Sequence, residues 1–476
     1  MDFFNDLLNK YKQMIDNIDS NKIEILIIND IDYNKLDIVE KEVLIDIIKN
    51  SYTQTIMSET KVPMVPTAPT APTAPTAPTA PTAPTALVVP ARKSAFDLSK
   101  VKSLSSAFAS SMSFINTNVT GVIEPITQKC WEKLTSIFDK LCLIVSPEQR
   151  TKEWLELRKG IISATGCGSV LGLNKNEAQY SFIYTKVFGS TFVPNEACYH
   201  GTKFENAIRL MYEFNYDVIV RDFGLIVHDK HKFLGASPDG ICGPYKRDGI
   251  TRSDAVGRMV EIKSPKITGR KIKFSGEVIG EICPVYYYWQ VLQQLECCDL
   301  PECDFVQCAI EEYDSKNDFL KDSGGIKNGI TAEYYSKKSS LEKGVLIELV
   351  PSSIEGEVVG EELYAKATFI YPPKIDMTNS ELDEWISLEL DTPREDVRIN
   401  RTIYWRMLIS SSTLIKRDVV LFNKNLPKLK EAWSYVEFLR NNTDIANEWK
   451  EFVDSMPRKY NDKIMAKLIS LVNQEP

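Results

Sequence analysis

Between Pro66 and Ala86 the chain repeats Pro-Thr-Ala seven times without interruption. Every third φ is fixed near about −65° and every third amide donor is missing, so no helix or sheet ladder can run through the segment. A semi-extended polyproline II spacer, rising roughly 3.1 Å per residue, is the expected form. The repeat therefore sets an N-terminal module apart from a much longer remainder. Residues 1–60 read as a small acidic helical module, 61–92 as the linker and 93–148 as a helical lead-in. Residues 149–425 form the main domain, and 426–476 read as C-terminal helices.

With 476 residues, 43% of them hydrophobic, the chain can bury a sizeable core, which excludes disorder throughout. No apolar run of about 18 residues occurs. The opening MDFFNDLLNK is acidic, without a basic n-region or a small-residue cleavage site. A soluble intracellular protein, not secreted and without a membrane partner, is the expectation. Ten cysteines at irregular spacings fit reduced thiols. The net charge of −8 argues at first against a nucleic-acid binder. Residues 1–60, however, hold 12 acidic and 6 basic side chains, so the rest of the chain is close to neutral. Within that module, Ile23 to Ile31 and Val43 to Ile48 suggest two or three short amphipathic helices or a small partner-binding unit. Leu104, Phe108 and Met112 continue a helical spacing in the lead-in.

From residue 151 onward the pattern becomes an ordered α/β series. Helices are expected over 151–158, 178–188 and 200–215, and strands over 218–228, 232–238 and 258–264. A helix over 284–297 and a strand over 304–311 follow. This order predicts a mixed sheet with an antiparallel meander and helices on both faces. Later strands are expected over 344–350, 367–371 and 419–422, and helices over 426–440 and 444–473.

The chemistry concentrates at two strand ends. Ser237-Pro238-Asp239-Gly240 closes one strand, and Val260-Glu261-Ile262-Lys263 forms the next. Residues two apart share a face, so Glu261 and Lys263 project together while Val260 and Ile262 face the opposite layer. Pro238 and Gly240 fix a turn that aims Asp239 toward Glu261. An isolated Glu-x-Lys is commonly no more than a half-exposed strand. Two carboxylates converging at one edge, however, make a hard-oxygen site of the kind Mg²⁺ or Mn²⁺ prefers. A lysine beside it can orient or deprotonate a water, which is phosphodiester-hydrolysis chemistry.

Asp239 followed by Glu261-Ile262-Lys263 resembles the signature of the PD-(D/E)XK nuclease superfamily, and more closely its lambda exonuclease and YqaJ-type viral recombinase branch. The resemblance implies an α/β, restriction-endonuclease-like core over 149–425, a central mixed sheet flanked by helices, with helical N- and C-terminal extensions. Three further segments match that branch. His200-Gly201-Thr202-Lys203-Phe204-Glu205 resembles its glycine-led helix, with Glu205 as the additional metal-site acid beside the stripe Phe204, Ala207, Ile208 and Met211. Trp154-x-x-x-Arg158 with Ile162-Ser163-Ala164-Thr165-Gly166 resembles the segment that holds a terminal 5′ phosphate. Arginine suits that task through its paired donors, with Ser163, Thr165 and Ser237 completing the pocket; Thr165 stands where the family usually has serine. Tyr287 and Gln290 match the Tyr-x-x-Gln helix, and Gln294 shares their face while Tyr288 and Trp289 go to packing.

The resemblance thus implies Glu205, Asp239, Glu261, Lys263 and Gln290 as catalytic residues. Asp239, Glu261 and Glu205 would be the metal ligands, and Arg158, Ser163, Thr165, Ser237 and Tyr287 the substrate contacts. It implies a metal-dependent 5′-to-3′ exonuclease acting on double-stranded DNA ends, with a single-strand annealing protein and a homo-oligomer as further partners. The Asn, Ile and Lys richness and the repeat look like a large DNA virus, hence a host cytoplasm or viral replication site. Lys266, Arg270, Lys271 and Lys273 can track a duplex backbone or simply form a solvated loop. An endonuclease using the same carboxylates is the first rival, although internal cutting needs no terminal-phosphate pocket. A non-catalytic DNA-binding scaffold is the second. Cys297, Cys298, Cys303 and Cys308 lack a close C-x-x-C pair and read as buried thiols rather than iron-sulfur ligands. Three histidines leave little room for a histidine zinc site, and no GxxxxGK[ST] loop occurs.

Overall fold

The computed structural model describes residues 123–147, 151–189, 193–266, 271–274, 276–356, 358–457 and 460–473. The acidic module, the Pro-Thr-Ala repeat, Leu104, Phe108, Met112 and Arg270 lie outside the described residues. Helices α1 (Gln128–Cys142) and α2 (Lys152–Lys159) lead to strand β1 (Ile162–Ser163), then to α3 (Ala164–Val170), α4 (Gln179–Phe188) and α5 (Glu196–Tyr216). Strands β2 (Val220–Arg221), β3 (Ile226–Val227), β4 (Leu234–Ala236), β5 (Gly240–Cys242) and β6 (Met259–Lys263) come next. Helix α6 (Val285–Cys298) connects to β7 (Glu302–Glu312), followed by α7 (Lys316–Lys321), β8 (Ser323–Lys327), β9 (Ile330–Ser336) and β10 (Lys343–Pro351). The series ends with α8 (Gly360–Lys366), β11 (Thr368–Ile370), α9 (Asn379–Asp391), β12 (Val397–Lys416), α10 (Val419–Asn441), α11 (Thr443–Ser455) and α12 (Asn461–Val472). Among the described residues no helix is long and apolar enough to cross a membrane.

The expected mixed sheet is present, in the order β11-β10-β12-β7-β6-β5-β2. Only β6 and β7 run parallel; the other neighbours are antiparallel. A parallel pair needs a crossover, and α6 supplies it, lying over the face toward which Met259 points. On that face Met259, Cys303, Phe305 and Ile415 pack with Trp289 and Leu292 of α6. On the other, Val260, Ile262, Val306 and Cys308 pack with Phe204, Ala207, Ile208 and Met211 of α5. Period-two alternation thus serves two helical layers at once.

Three expectations are corrected. The meander is divided: β2 and β5 stay in the large sheet, while β3 and β4 join β1 in a separate sheet of order β1-β4-β3. The predicted strand 218–228 breaks because the Leu225 amide donates to Ser146 Oγ at 2.7 Å instead of to a strand. The run 419–422 is the first turn of α10, where Asp418 accepts from the Leu421 amide at 2.8 Å and caps the helix. The 20-residue β12, which pairs with both β7 and β10, has no counterpart among the expected elements.

Helices α3 and α6 meet at Gly168, where a Cβ would lie 2.6 Å from Tyr286 Cβ and 2.9 Å from its Cα. Backbone cannot yield as a flexible side chain does. Gly168→Ala is therefore expected to cost about 1–3 kcal/mol by overpacking, read as a lower Tm; an unchanged Tm would show slack between the helices.

Candidate active site

Strands β5 and β6 pair Gly240 with Val260 and Ile241 with Met259. Continued by one residue, that register sets Asp239 opposite Glu261. Asp239 Oδ2 accepts a hydrogen bond from the Ile262 amide at 2.7 Å, which fixes the carboxylate at the strand end. The Glu261 side chain is fully buried, and a buried carboxylate must be supplied with donors. Lys263 Nζ and Gln290 Nε2 both donate to its Oε1, and Gln294 Nε2 donates to Oε2 at 2.7 Å. Gln290 and Gln294 are one helical turn apart on α6, so the crossover helix presents two amides to one carboxylate.

Burial, together with the negative charges of Glu261 and Glu205, holds the Asp239 carboxyl well above its usual range. Burial alone would lower Lys263, but Glu261 and Asp239 outweigh it and keep the ammonium above its ordinary value. Lys263 also lies 4.8 Å from the centre of the Tyr287 ring. The structure thus brings Glu205, Asp239, Glu261, Lys263, Tyr287 and Gln290 into one neighbourhood. The Gln290 amide is engaged by Glu261.

A second cluster stands beside the first. Strand β1 runs parallel to β4 with Ser163 opposite Gly235, two residues before Ser237. Ser163 occupies the N-cap of α3 but makes no side-chain capping bond; its hydroxyl lies 3.1 Å from Thr165 Oγ1. Arg158 Nη2 donates to the same Thr165 oxygen at 2.9 Å, and its guanidinium lies 4.8 Å from the Trp154 ring centre. Ser237 Oγ is buried and has no hydrogen-bond partner among the described residues.

Gln293, unmarked by any motif, joins the two clusters. Its Nε2 donates to the carbonyls of Ile162 at 2.8 Å and Gly235 at 3.0 Å, fastening α6 to the β1–β4 pair. Gln294 was legible as a member of the polar face, although not its hold on Glu261. Of the basic run, Lys266 pairs with Glu196, and Lys271 and Lys273 are exposed. The segment 243–258 between β5 and β6 packs on α1, with Arg252 donating to Gln128 at 2.8 Å and Trp131 to the Pro244 carbonyl at 3.3 Å. Cys297, Cys298, Cys303 and Cys308 are buried free thiols.

Among the described residues no group of three or more His, Cys, Asp or Glu side chains is arranged to hold a metal ion. An ion of the magnesium type requires no such cage, since one or two carboxylates suffice when water and phosphate complete its shell. Asp239 and Glu261 offer that donor set, and the burial and neighbouring negative charges that raise Asp239 both disfavour its ionised form, a penalty that a cation relieves.

Residues 153–301 match the YqaJ-like viral recombinase domain. Every residue of both clusters falls inside that span, in agreement with the resemblance that the four motifs carry. An uncharacterized protein of Acanthamoeba polyphaga mimivirus is 38% identical over 334 residues, covering 69% of this chain and 59% of the relative. The chain therefore spans less than two thirds of that relative's length. Two crystal structures of LHK-Exo, one with dAMP and one described as an alkaline exonuclease from Laribacter hongkongensis, align at 18% and 17% identity with a TM-score of 0.32. Each alignment covers 62% of this chain and 98% of theirs.

Proposed function

We propose that the chain is a deoxyribonuclease dependent on Mg²⁺, with Mn²⁺ as a substitute, that degrades linear double-stranded DNA from the 5′ end. The observation that carries this reading is Glu261, fully buried at a strand end opposite Asp239 and held by Lys263, Gln290 and Gln294. A buried, multiply bonded acid beside a second acid of raised pKa is costly to maintain for structure alone. The match to the YqaJ-like domain supports the nuclease class.

Asp239 and Glu261 would hold the cation, with the charge of Glu205 near Asp239 adding to its attraction; the cation when bound would supply Lewis-acid stabilisation of the phosphate oxygens. Lys263, whose ammonium is favoured by its two acidic neighbours, would orient the attacking water or donate to a phosphate oxygen. Gln290 and Gln294 fix the Glu261 carboxylate. Arg158 and the hydroxyls of Ser163, Thr165 and Ser237 offer donors to a terminal phosphate. An annealing partner for the exposed strand, a homo-oligomeric assembly and an intracellular site of action belong to the same proposal.

The test uses end-labelled linear duplex with a 5′ phosphate or 5′ hydroxyl, beside closed circular duplex, in either ion. Expected are mononucleotide release from linear DNA, about tenfold faster with the phosphate, and loss of that preference in Arg158→Ala. Cuts in the circle would move the reading to an endonuclease. No cleavage with either ion would overturn it in favour of a scaffold.

A further inference from the structure

Helix α10 lies beyond the family match, which ends at residue 301, yet it reaches back to the phosphate pocket. Arg440 Nη2 donates to the carbonyl oxygens of Lys159 at 2.9 Å and Lys186 at 2.7 Å. Lys159 is the last residue of α2, and Lys186 lies in the last turn of α4. The final carbonyls of a helix lack intrahelical partners and carry the negative end of its dipole. One guanidinium thus fastens two helix ends together.

Lys186 adds a second tie, donating from Nζ to the carbonyl of Arg158 itself at 2.7 Å. The residue clamped from behind is the one whose guanidinium meets Thr165 in front. Arg440 is itself placed by packing. Its guanidinium lies 5.5 Å from the Trp433 ring, and Trp433, Val436 and Leu439 are buried in the same core as Phe182 and Ile183 of α4. Burial, Arg158 and Arg440 push Lys186 down to about 7, with Glu177 opposing. Capping two helix ends does not by itself require such crowding of cations.

We propose that Arg440 and Lys186 are positioning residues for DNA-end recognition, setting the tilt of α2 and so the point at which Arg158 presents its guanidinium to the terminal phosphate. The inference rests on the reading of Arg158 as phosphate anchor. It makes helix α10, outside the family match, a working part of end recognition.

Fluorescence anisotropy on the full chain tests it, using duplexes that differ only in a 5′ phosphate or 5′ hydroxyl, without added metal so that nothing is cut. Arg440→Gln and Lys186→Met are each expected to lower the affinity ratio between the two duplexes about tenfold, as a small displacement of an anchoring group does. Arg440→Lys should restore part of the ratio, because it keeps a donor at the helix ends. A merely structural role lowers Tm and both affinities together while the ratio holds, and that result overturns the proposal. Absence of any preference in the wild type would refute Arg158 as anchor, and the clamp with it. A wild-type preference that survives both substitutions would sink the clamp alone.

Discussion

Lys263→Ala is expected to slow cleavage of linear duplex DNA by about a thousandfold, the upper range for removing one preorganised donor from a site of developing charge. The lysine is the cation in direct contact with Glu261, and it is held protonated by Glu261 and Asp239. Its loss removes a positive charge from the place where the phosphate becomes more negative, and it leaves Glu261 buried on two neutral amides. Breaking a buried pair of this kind also destabilises, by about 3–5 kcal/mol when both partners are fully enclosed. Lys263 keeps 20% of its side-chain exposure, so the smaller part of that range applies. Lys263→Met separates the effects, because it preserves the aliphatic stem beside Tyr287 without the charge. Single-turnover cleavage of labelled duplex and Tm measured on both variants decide the matter. A Met variant within tenfold of wild type would remove Lys263 from the chemistry.

The parts of this site that could be read from sequence are those in which local geometry forces one answer. Glu261 and Lys263 share a strand face because the period is two, and Val260 and Ile262 turn to the α5 layer for the same reason. Tyr287, Gln290 and Gln294 share a helix face by spacing alone, but what that face meets depends on the β6–α6–β7 crossover. Gln293 and Arg440 were not legible because their partners are backbone carbonyls of distant segments, which carry no side-chain label. The helical start at 419–422, where a strand is expected, has a local origin. Four apolar residues fit strand or helix equally, and the Asp418 cap decides between them. Strand β12 alternates Ile403, Trp405 and Met407 into the core, a readable pattern that its interspersed arginines obscured.

Asp239→Asn is expected to abolish cleavage and, in the absence of divalent ions, to make the protein more stable. The sign follows from its raised pKa. An acid that holds its proton more tightly when folded loses it first in the unfolded state, so stability falls as pH rises from the ordinary carboxyl value of about 3.9 toward the elevated folded one. Above the folded value the penalty is complete, and below the unfolded value it is absent. Asparagine removes the charge while its carbonyl can still accept from the Ile262 amide. At pH 8 without metal the variant should therefore melt about 2 °C higher, a gain of about 1 kcal/mol, and the gap should close in acid. Saturating Mg²⁺ reverses the order. At a hundred times its Kd a bound ion adds about 2.7 kcal/mol to the state that binds it, and the variant has one fewer ionised ligand to offer. Wild type should then melt above Asp239→Asn. If Mg²⁺ leaves the wild-type Tm unmoved, Asp239 and Glu261 do not form a cation site. If the variant is the less stable of the two at pH 8 without metal, Lys263 and the Ile262 amide already satisfy the Asp239 charge, and the stored repulsion that the site would release on binding an ion is not there.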